Sequence, residues 1–429
     1  MRKIRNGLVG GIMEYGCIGE KLSHSFSKII HAQLAEYDYE LCEIPRDKLD
    51  GFMKAADFKA INVTIPYKQE VIPYLDRISE TAERIGAVNT VVNNNGRLYG
   101  YNTDFSGMKA LIERQGVYLS GKKVLVLGSG GTSKTAAAVA ESLGAAEVVR
   151  VSRSGRDGAV TYACAAESCR DAEALINTTP CGMSPNIGTA AADIELFPKL
   201  KSVTDAVYNP LCSELVIRAR EKGINAAGGL YMLVAQAAFA SEKFTGTKIP
   251  SSQTERVYKS ILLDKKNIVL IGMPGCGKTT IGRKAAKALG KSFIDTDEEI
   301  VRETGMKIPE IFEKCGEKGF REIEADIVKK VSARQSAVIA TGGGAVLNQR
   351  NVQLLKENGF IIFIDRPVDE LVTTDDRPLS SNRDMLYRRY RERYGLYNTS
   401  AQAVIKAVRE LDKNIKAVTE VFLNENFSD

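Results

Sequence analysis

The sequence predicts an α/β protein with parallel sheets, on three observations. Apolar, β-rich runs alternate with helical patterns along the whole chain. Two of these runs, "KKVLVLG" (122–128) and "KNIVLIG" (266–272), end in glycine-rich turns that open a helix. Each is followed by a second strand pattern, "AEVVRVS" (146–152) and "KSFIDTD" (291–297). A chain of 429 residues fits two or three domains. The polar, Ser/Thr/Lys-rich stretch 244–266 reads as a helix end plus linker, with the boundary near 255–265. The two glycine loops differ in type, so the halves are not copies of one unit.

Composition narrows the function classes. The net charge of +6 favours small phosphorylated or carboxylated ligands, with no basic cluster for nucleic acid. No apolar run reaches a membrane span, and the N-terminal "MRKIRNGLVGGIMEYG" is too short and glycine-broken for a signal peptide. Eight cysteines without CxxC spacing and only two histidines, His24 and His31, argue against a disulfide framework or a zinc site. The expected compartment is the cytoplasm. Both histidines are expected to be scaffold residues, so proton transfer falls to Lys, Asp, Glu, Tyr or Cys.

The first loop, "GSGGTSKT" (128–135), has Ser133 where a P-loop requires Gly before Lys. Its position after a strand and before a helix puts the backbone of Gly128, Ser129, Gly130, Gly131 and Thr132 where a pyrophosphate can sit. The second strand ends in Ser152-Arg153-Ser154-Gly155-Arg156 without the acid that binds a ribose 2′-hydroxyl. Arg153 and Arg156 suit a 2′-phosphate, hence NADP(H) over NAD. A plain strand–turn–helix with exposed arginines is the alternative.

Upstream, Lys68 follows an apolar strand and a proline, and Asp104 sits among turn formers. A lysine and a carboxylate that met in a cleft would move a proton during hydride transfer. Taken singly, each reads better as a solvated surface charge.

Nine fragments in order, "HSFS", "NVTIPYK", "GAVNT", "NTD", "GSGG", "SRSGR", "NTTPCGM", "DAVYNP" and "GGLYMLVAQA", resemble the shikimate dehydrogenase family from about residue 12 to 245. The resemblance implies reversible NADPH-dependent reduction of 3-dehydroshikimate to shikimate. It implies a catalytic pair of Lys68 and Asp104, and substrate contacts from Ser25, Ser27, Thr64, Asn89, Asp104, Tyr208 and Gln236. Gly128, Gly130, Gly131, Arg153 and Gly229 would contact NADP. Lys28 stands where the family usually has Pro, and "GSGGTSK" departs from the commoner glycine loop without removing a catalytic group.

The second loop, "GMPGCGKTT" (272–280), matches the P-loop in full and in context. The amides of Gly275, Cys276, Gly277, Lys278, Thr279 and Thr280 would cradle ATP phosphates. Lys278 would reach the β- and γ-phosphates and Thr279 would bind Mg²⁺. "IDTD" is expected to end its strand with Asp295 and Asp297 on one side, one for the metal and one for a substrate hydroxyl's proton. "ATGGGAV" (340–346) ends another strand and permits close backbone approach to a ligand; for each of the two stretches, mere capping of a strand end is an equal alternative.

Together with "GEKGFREIE", "DRPL" and "RYGLYNTSA", these fragments resemble the shikimate kinase family over roughly 266–400. The resemblance implies shikimate binding by Asp297, Arg321, Gly343 and Arg393, with Asp297 as base, Asp295 assisting Mg²⁺, and Arg377 on a lid over ATP. The lid region is compressed, and Gly395 replaces a usual Pro. The tail beyond 402 reads as one or two helices.

The resemblances imply a two-part dehydrogenase followed by a P-loop α/β kinase with a parallel sheet. The substrate lobe is expected at 1–105, with returning helices near 230–258, and the Rossmann NADP lobe at 106–229. A linker is expected at 259–266 and the kinase at 267–429. Small-molecule substrates, no nucleic acid and no membrane are the expected partners. A quinate/shikimate dehydrogenase fused to a degenerate ATP-binding regulatory module is the alternative; oligomeric state is open.

Overall fold

The computed structural model describes residues 13–22, 26–371 and 383–425. Ser25, His24 and Arg377 lie outside them. The chain divides into two compact units, the first built from 1–179, 196–202 and 229–259, the second from 180–195, 203–228 and 260–429.

In the first unit a six-stranded sheet runs in the order Tyr39–Glu43, Tyr15–Gly19, Ala60–Val63, Thr90–Asn94, Arg97–Tyr101, Arg77–Ile78. Its first three strands are parallel; Thr90–Asn94 joins Ala60–Val63 antiparallel and forms a hairpin with Arg97–Tyr101. Tyr15–Gly19 and Ala60–Val63 are almost wholly buried, as expected where a sheet is covered on both faces. The helices Thr103–Arg114 and Leu230–Thr245 pack together where Gly107 lies against the backbone of Met232. A Cβ there would stand 2.7 Å from the Met232 carbonyl oxygen, so only glycine lets these helices approach so closely. The same unit holds three parallel strands in the order Glu147–Val151, Lys123–Leu127, Ala174–Asn177.

In the second unit a five-stranded, wholly parallel sheet runs Ser292–Asp295, Ala337–Ala340, Asn267–Ile271, Gly359–Asp365, Ala403–Lys406. The central strand Asn267–Ile271 is buried at every residue. Its carboxyl end delivers the chain into the P-loop, where ligands bind in such sheets.

Three expectations need correction. Residues 259–266 are not an irregular linker: the helix Ser251–Lys265 runs to one residue before the next strand. Val257, Tyr258, Ile261 and Leu262 are its buried apolar residues, a stripe at helical spacing. Asp297 does not share a strand with Asp295: the strand ends at Asp295, whose side chain accepts from the Asp297 N–H at 3.0 Å and caps the helix Thr296–Thr304. The tail begins with the edge strand Ala403–Lys406 before its helix Leu411–Asn424.

Candidate functional site

In the first unit the hairpin and the strand Ala60–Val63 bring Lys68 to Asp104. Lys68 Nζ donates to Asp104 Oδ2 at 2.5 Å, both side chains partly buried. Asn102 fixes the carboxylate's helix from its first residue: its Oδ1 accepts from Phe105 N and its Nδ2 donates to the Ala87 carbonyl. Asp104 therefore sits in the first turn of Thr103–Arg114, where an anion is favoured.

Buried Asn89 lies beside this pair. Its Oδ1 accepts from Thr103 N at 2.7 Å and from the Thr90 and Thr103 hydroxyls. Thr103 Oγ1 in turn reaches Gln236 Oε1 at 3.5 Å. Thr64 packs on Gly19, where a Cβ would stand 2.7 Å from Thr64 Cγ2. Ser27 begins the helix Ser27–Leu34, and Tyr208 lies in the second unit, after the strand Ser202–Asp205. Asn62 was not singled out from the sequence, yet it accepts from Tyr39 OH and donates to Thr90 Oγ1, bracing the floor of the group.

His31 is scaffold, as expected. It is fully buried and stacks on Tyr39 with ring centroids 3.9 Å apart, while Nδ1 meets Tyr37 OH at 2.6 Å. Burial pushes its pKa down to about 3, so the ring stays neutral.

The loop after Lys123–Leu127 is a closed glycine turn. Gly128 has φ +123°, and a Cβ on it would stand 2.5 Å from Thr178 Oγ1. Ser133, at the third glycine position, is buried and donates to the Gly128 carbonyl at 2.7 Å, so the serine closes the turn that glycine would leave open. Gly130 caps the helix Gly131–Ser142, and no side chain crowds Gly130 or Gly131. At the tip of the next strand Ser152 Oγ accepts from Gly155 N, and Arg153, Ser154 and Arg156 are exposed. These groups fit a phosphorylated dinucleotide: open amides at a helix N-terminus and two exposed guanidiniums beyond the second strand. Gly229 precedes the helix Leu230–Thr245.

In the second unit the P-loop opens onto a cavity of about 740 Å³ lined by Lys278, Asp295, Asp297, Arg321, Gly343 and Arg393, among others. Gly272, Gly275 and Gly277 all have positive φ. Lys278 is buried, its Nζ folded back onto the Gly272 and Met273 carbonyls at 2.9 and 3.0 Å. Thr279 Oγ1 donates to Asp295 Oδ2 at 2.7 Å. A hydroxyl and a carboxylate side by side are hard oxygen donors suited to Mg²⁺, which also draws ligands from phosphates and water. Among the described residues no group of three or more His, Cys, Asp or Glu could hold a metal ion.

The three glycines after Ala337–Ala340 let the backbone approach the side chains around it. A Cβ on Gly342 would lie 2.8 Å from Asp297 Oδ1 and 2.9 Å from Glu324 Oε1. On Gly344 it would run into the Arg321 guanidinium. The Gly343 carbonyl accepts from Arg393 Nη1 at 3.1 Å and from Tyr397 OH at 2.5 Å. Arg321 is held by Glu324 at 2.7 Å and Glu317 at 3.2 Å. Burial pushes the Glu324 carboxyl up, with Arg321 opposing and Asp297 adding to the rise. Glu324 and Arg389 also line this cavity and were not foreseen; "FREIE" shows a carboxylate one turn after Arg321, which was the available signal for Glu324.

The family model for shikimate kinase matches residues 274–424, and that for the shikimate dehydrogenase substrate binding domain matches residues 17–91. A shikimate dehydrogenase (NADP(+)) of Clostridium perfringens is 37% identical over 264 residues, 58% of this chain and 97% of that protein. A chorismate mutase/shikimate 5-dehydrogenase fusion protein from Clostridium acetobutylicum superposes with TM-score 0.55 at 33% identity, over 58% of this chain and 97% of that one. The shikimate 5-dehydrogenase from Thermus thermophilus, solved in complex with NADP(H) and shikimate, gives TM-score 0.53 at 31% identity, over 58% and 99%.

Proposed function

This chain belongs to the shikimate dehydrogenase family and carries a shikimate kinase domain at its C-terminal end; on that premise we propose one polypeptide with two consecutive activities. The first reduces 3-dehydroshikimate to shikimate with NADPH, and the second phosphorylates shikimate at its 3-hydroxyl with ATP. The proposed substrate lobe is 1–105 with the returning helices near 230–258. The NADP lobe is 106–229 and the kinase 267–429.

NADPH supplies the hydride. Lys68 Nζ hands a proton to the carbonyl oxygen as it becomes an alcohol, and Asp104 Oδ2 holds that ammonium in register. In the reverse direction the pair takes the hydroxyl proton back. Asn89, Thr64, Ser25, Ser27 and Gln236 bind the hydroxyls and carboxylate, and a polar set of this kind rejects analogues that leave a buried donor unpaired. Gly128–Thr132, Ser152, Ser154 and Gly229 contact the dinucleotide, with Arg153 and Arg156 on its 2′-phosphate.

In the kinase half the amides of Gly275–Thr280 and Lys278 hold the phosphates, while Thr279 and Asp295 hold Mg²⁺, which neutralises phosphate charge. Asp297 accepts the proton of the 3-hydroxyl as that oxygen attacks the γ-phosphorus, and ADP leaves. Arg321, Gly343 and Arg393 orient the acid, and Arg377, outside the described residues, is the proposed arginine contact to ATP. The single observation that carries this reading is the convergence of the P-loop, Asp297, Arg321 and Arg393 on one cavity.

The eight cysteines are all free, in keeping with a cytoplasmic enzyme. Among the described residues no helix is long and apolar enough to cross a membrane. A coupled assay tests the function: 3-dehydroshikimate, NADPH, ATP and Mg²⁺ are supplied and both NADPH loss and ADP release are followed. Both signals are expected, with ADP release dependent on the first step. ADP release that ignores added shikimate would count against the kinase.

A further inference from the structure

The helix Arg383–Ser400 carries Arg389 and Arg393 one turn apart, and both line the P-loop cavity. Guanidiniums four residues apart on a helix repel each other, so the pairing is unfavourable unless something negative lies between them. The carboxylates that could neutralise Arg389 are engaged elsewhere. Glu392 pairs with Arg388 at 2.9 Å, and Glu317 with Arg321 at 3.2 Å. Among the described residues Arg389 makes no ion pair or hydrogen bond. Burial and the nearby positive charge of Arg393 and Arg321 push its pKa down, with Glu317 and Glu392 opposing.

The cavity is therefore polarised. One wall is the cationic helix with Arg389 and Arg393; the P-loop side carries Asp295 and Asp297 beside Lys278. Arg321 differs from the helix pair because Glu324 already balances it. A small hydroxy acid bound with a hydroxyl at Asp297 turns its carboxylate toward the helix wall, where a two-oxygen anion can be shared between two guanidinium forks.

We propose that Arg389 is a further substrate-binding residue of the kinase, a second guanidinium on the acid's carboxylate beside Arg393, and that it sets selectivity for an acid over its uncharged analogues. The inference rests on the kinase reading above. A charge-assisted hydrogen bond lost from such a site corresponds to about a tenfold weaker interaction or more.

The test compares wild type with Arg389→Gln and Arg389→Lys in the full chain, using shikimate and its uncharged methyl ester. Arg389→Gln is expected to raise KM for shikimate about tenfold and to lower the ratio of kcat/KM for the acid to that for the ester by the same factor. Arg389→Lys, which keeps the charge without the fork, should recover part of both. KM for ATP, read in the same preparations, monitors the fold of the site and should stay close to wild type. An unchanged KM for shikimate in Arg389→Gln overturns the inference. So does an equal loss toward acid and ester, which would mark a structural role. No shikimate-dependent ADP release from wild type overturns the kinase reading and this inference with it, whereas wild-type turnover with an unaltered Arg389→Gln overturns this inference alone.

Discussion

Lys68 Nζ stands 2.5 Å from Asp104 Oδ2, although 36 residues separate the two in the chain. Each comes from an element end fixed by its own local chemistry: Lys68 from the turn after Ala60–Val63, Asp104 from a helix capped by Asn102. Removing either member removes a positioned proton donor. Lys68→Ala should lower the NADPH-dependent rate by about 10²–10⁴-fold and leave ATP turnover with shikimate intact. Asp104→Asn, which keeps the shape and drops the charge, should lower it by less. Initial rates of NADPH oxidation and ADP release in the same preparations check this.

Gly344→Ala would set a methyl group against the Arg321 guanidinium, the mobile end of a long side chain. To make room the guanidinium must leave its ion pairs with buried Glu324 and with Glu317, so stability should fall by roughly 1–3 kcal/mol. Its substrate contact should not survive the move. KM for shikimate in the kinase reaction should rise roughly tenfold, a loss typical of a charged hydrogen bond. Steady-state kinetics beside a thermal melt separate the two effects.

Gly107→Ala behaves differently, because its Cβ would meet the Met232 carbonyl at 2.7 Å and the Gln236 N at 3.0 Å. Backbone cannot rotate out of the way. The two helices must part, at about 1–3 kcal/mol. The dehydrogenase transition should melt earlier in calorimetry, and Gln236 should shift from Thr103.

The absence of an acid at the end of Glu147–Val151 makes the exposed arginines the expected readers of the cofactor phosphate. The double change Arg153→Ala with Arg156→Ala should raise KM for NADPH by about 10–100-fold and leave that for NADH nearly unchanged. A comparison of both nicotinamides in one assay decides it.

Two buried titratable groups should give the units opposite pH responses. His31 in the first unit has its pKa held down at about 3, below the 6.5 of an exposed ring. The unfolded chain therefore binds more protons in that window, and stability falls as pH drops from about 6.5 toward 3. Glu357 in the second unit is pushed up to about 8 by burial, with the Glu214 carboxylate adding to the rise. The folded state then holds the extra proton, so this contribution is fully present below about 4.5 and is lost as pH climbs toward 8. Glu357→Gln should stabilise the second unit at pH 7.5 on the order of 1–3 kcal/mol and flatten its melting temperature above pH 5. His31→Phe should flatten the acid limb of the first unit.

Much of this was legible because it is local. The P-loop, the closed turn at Gly128 and the strands before them depend on short-range spacing, and each strand lies within a residue or two of where the apolar run puts it. The helix Ser251–Lys265 was readable from Val257, Tyr258, Ile261 and Leu262, but its polar residues masked that stripe. The strand Ala403–Lys406 was not readable, since an edge strand of four residues amid Ala, Gln and Lys is made by its partner Gly359–Asp365 and not by local preference. Asp297 was misplaced onto a strand because the cap by Asp295 starts a helix two residues earlier than the apolar pattern suggests. Glu324 and Arg389 acquire their meaning only from what stands across the cavity, and no spacing rule carries that.

The central claim is that one chain recognises the same cyclic hydroxy acid at two separate places, and co-crystals with shikimate, NADP⁺ and ADP test it most directly. Two shikimate molecules per chain are predicted, one against Lys68 and Asp104 and one against Asp297 and Arg393. Shikimate beside Lys68 alone, with the P-loop cavity holding ADP and no acid at saturating concentration, would contradict it.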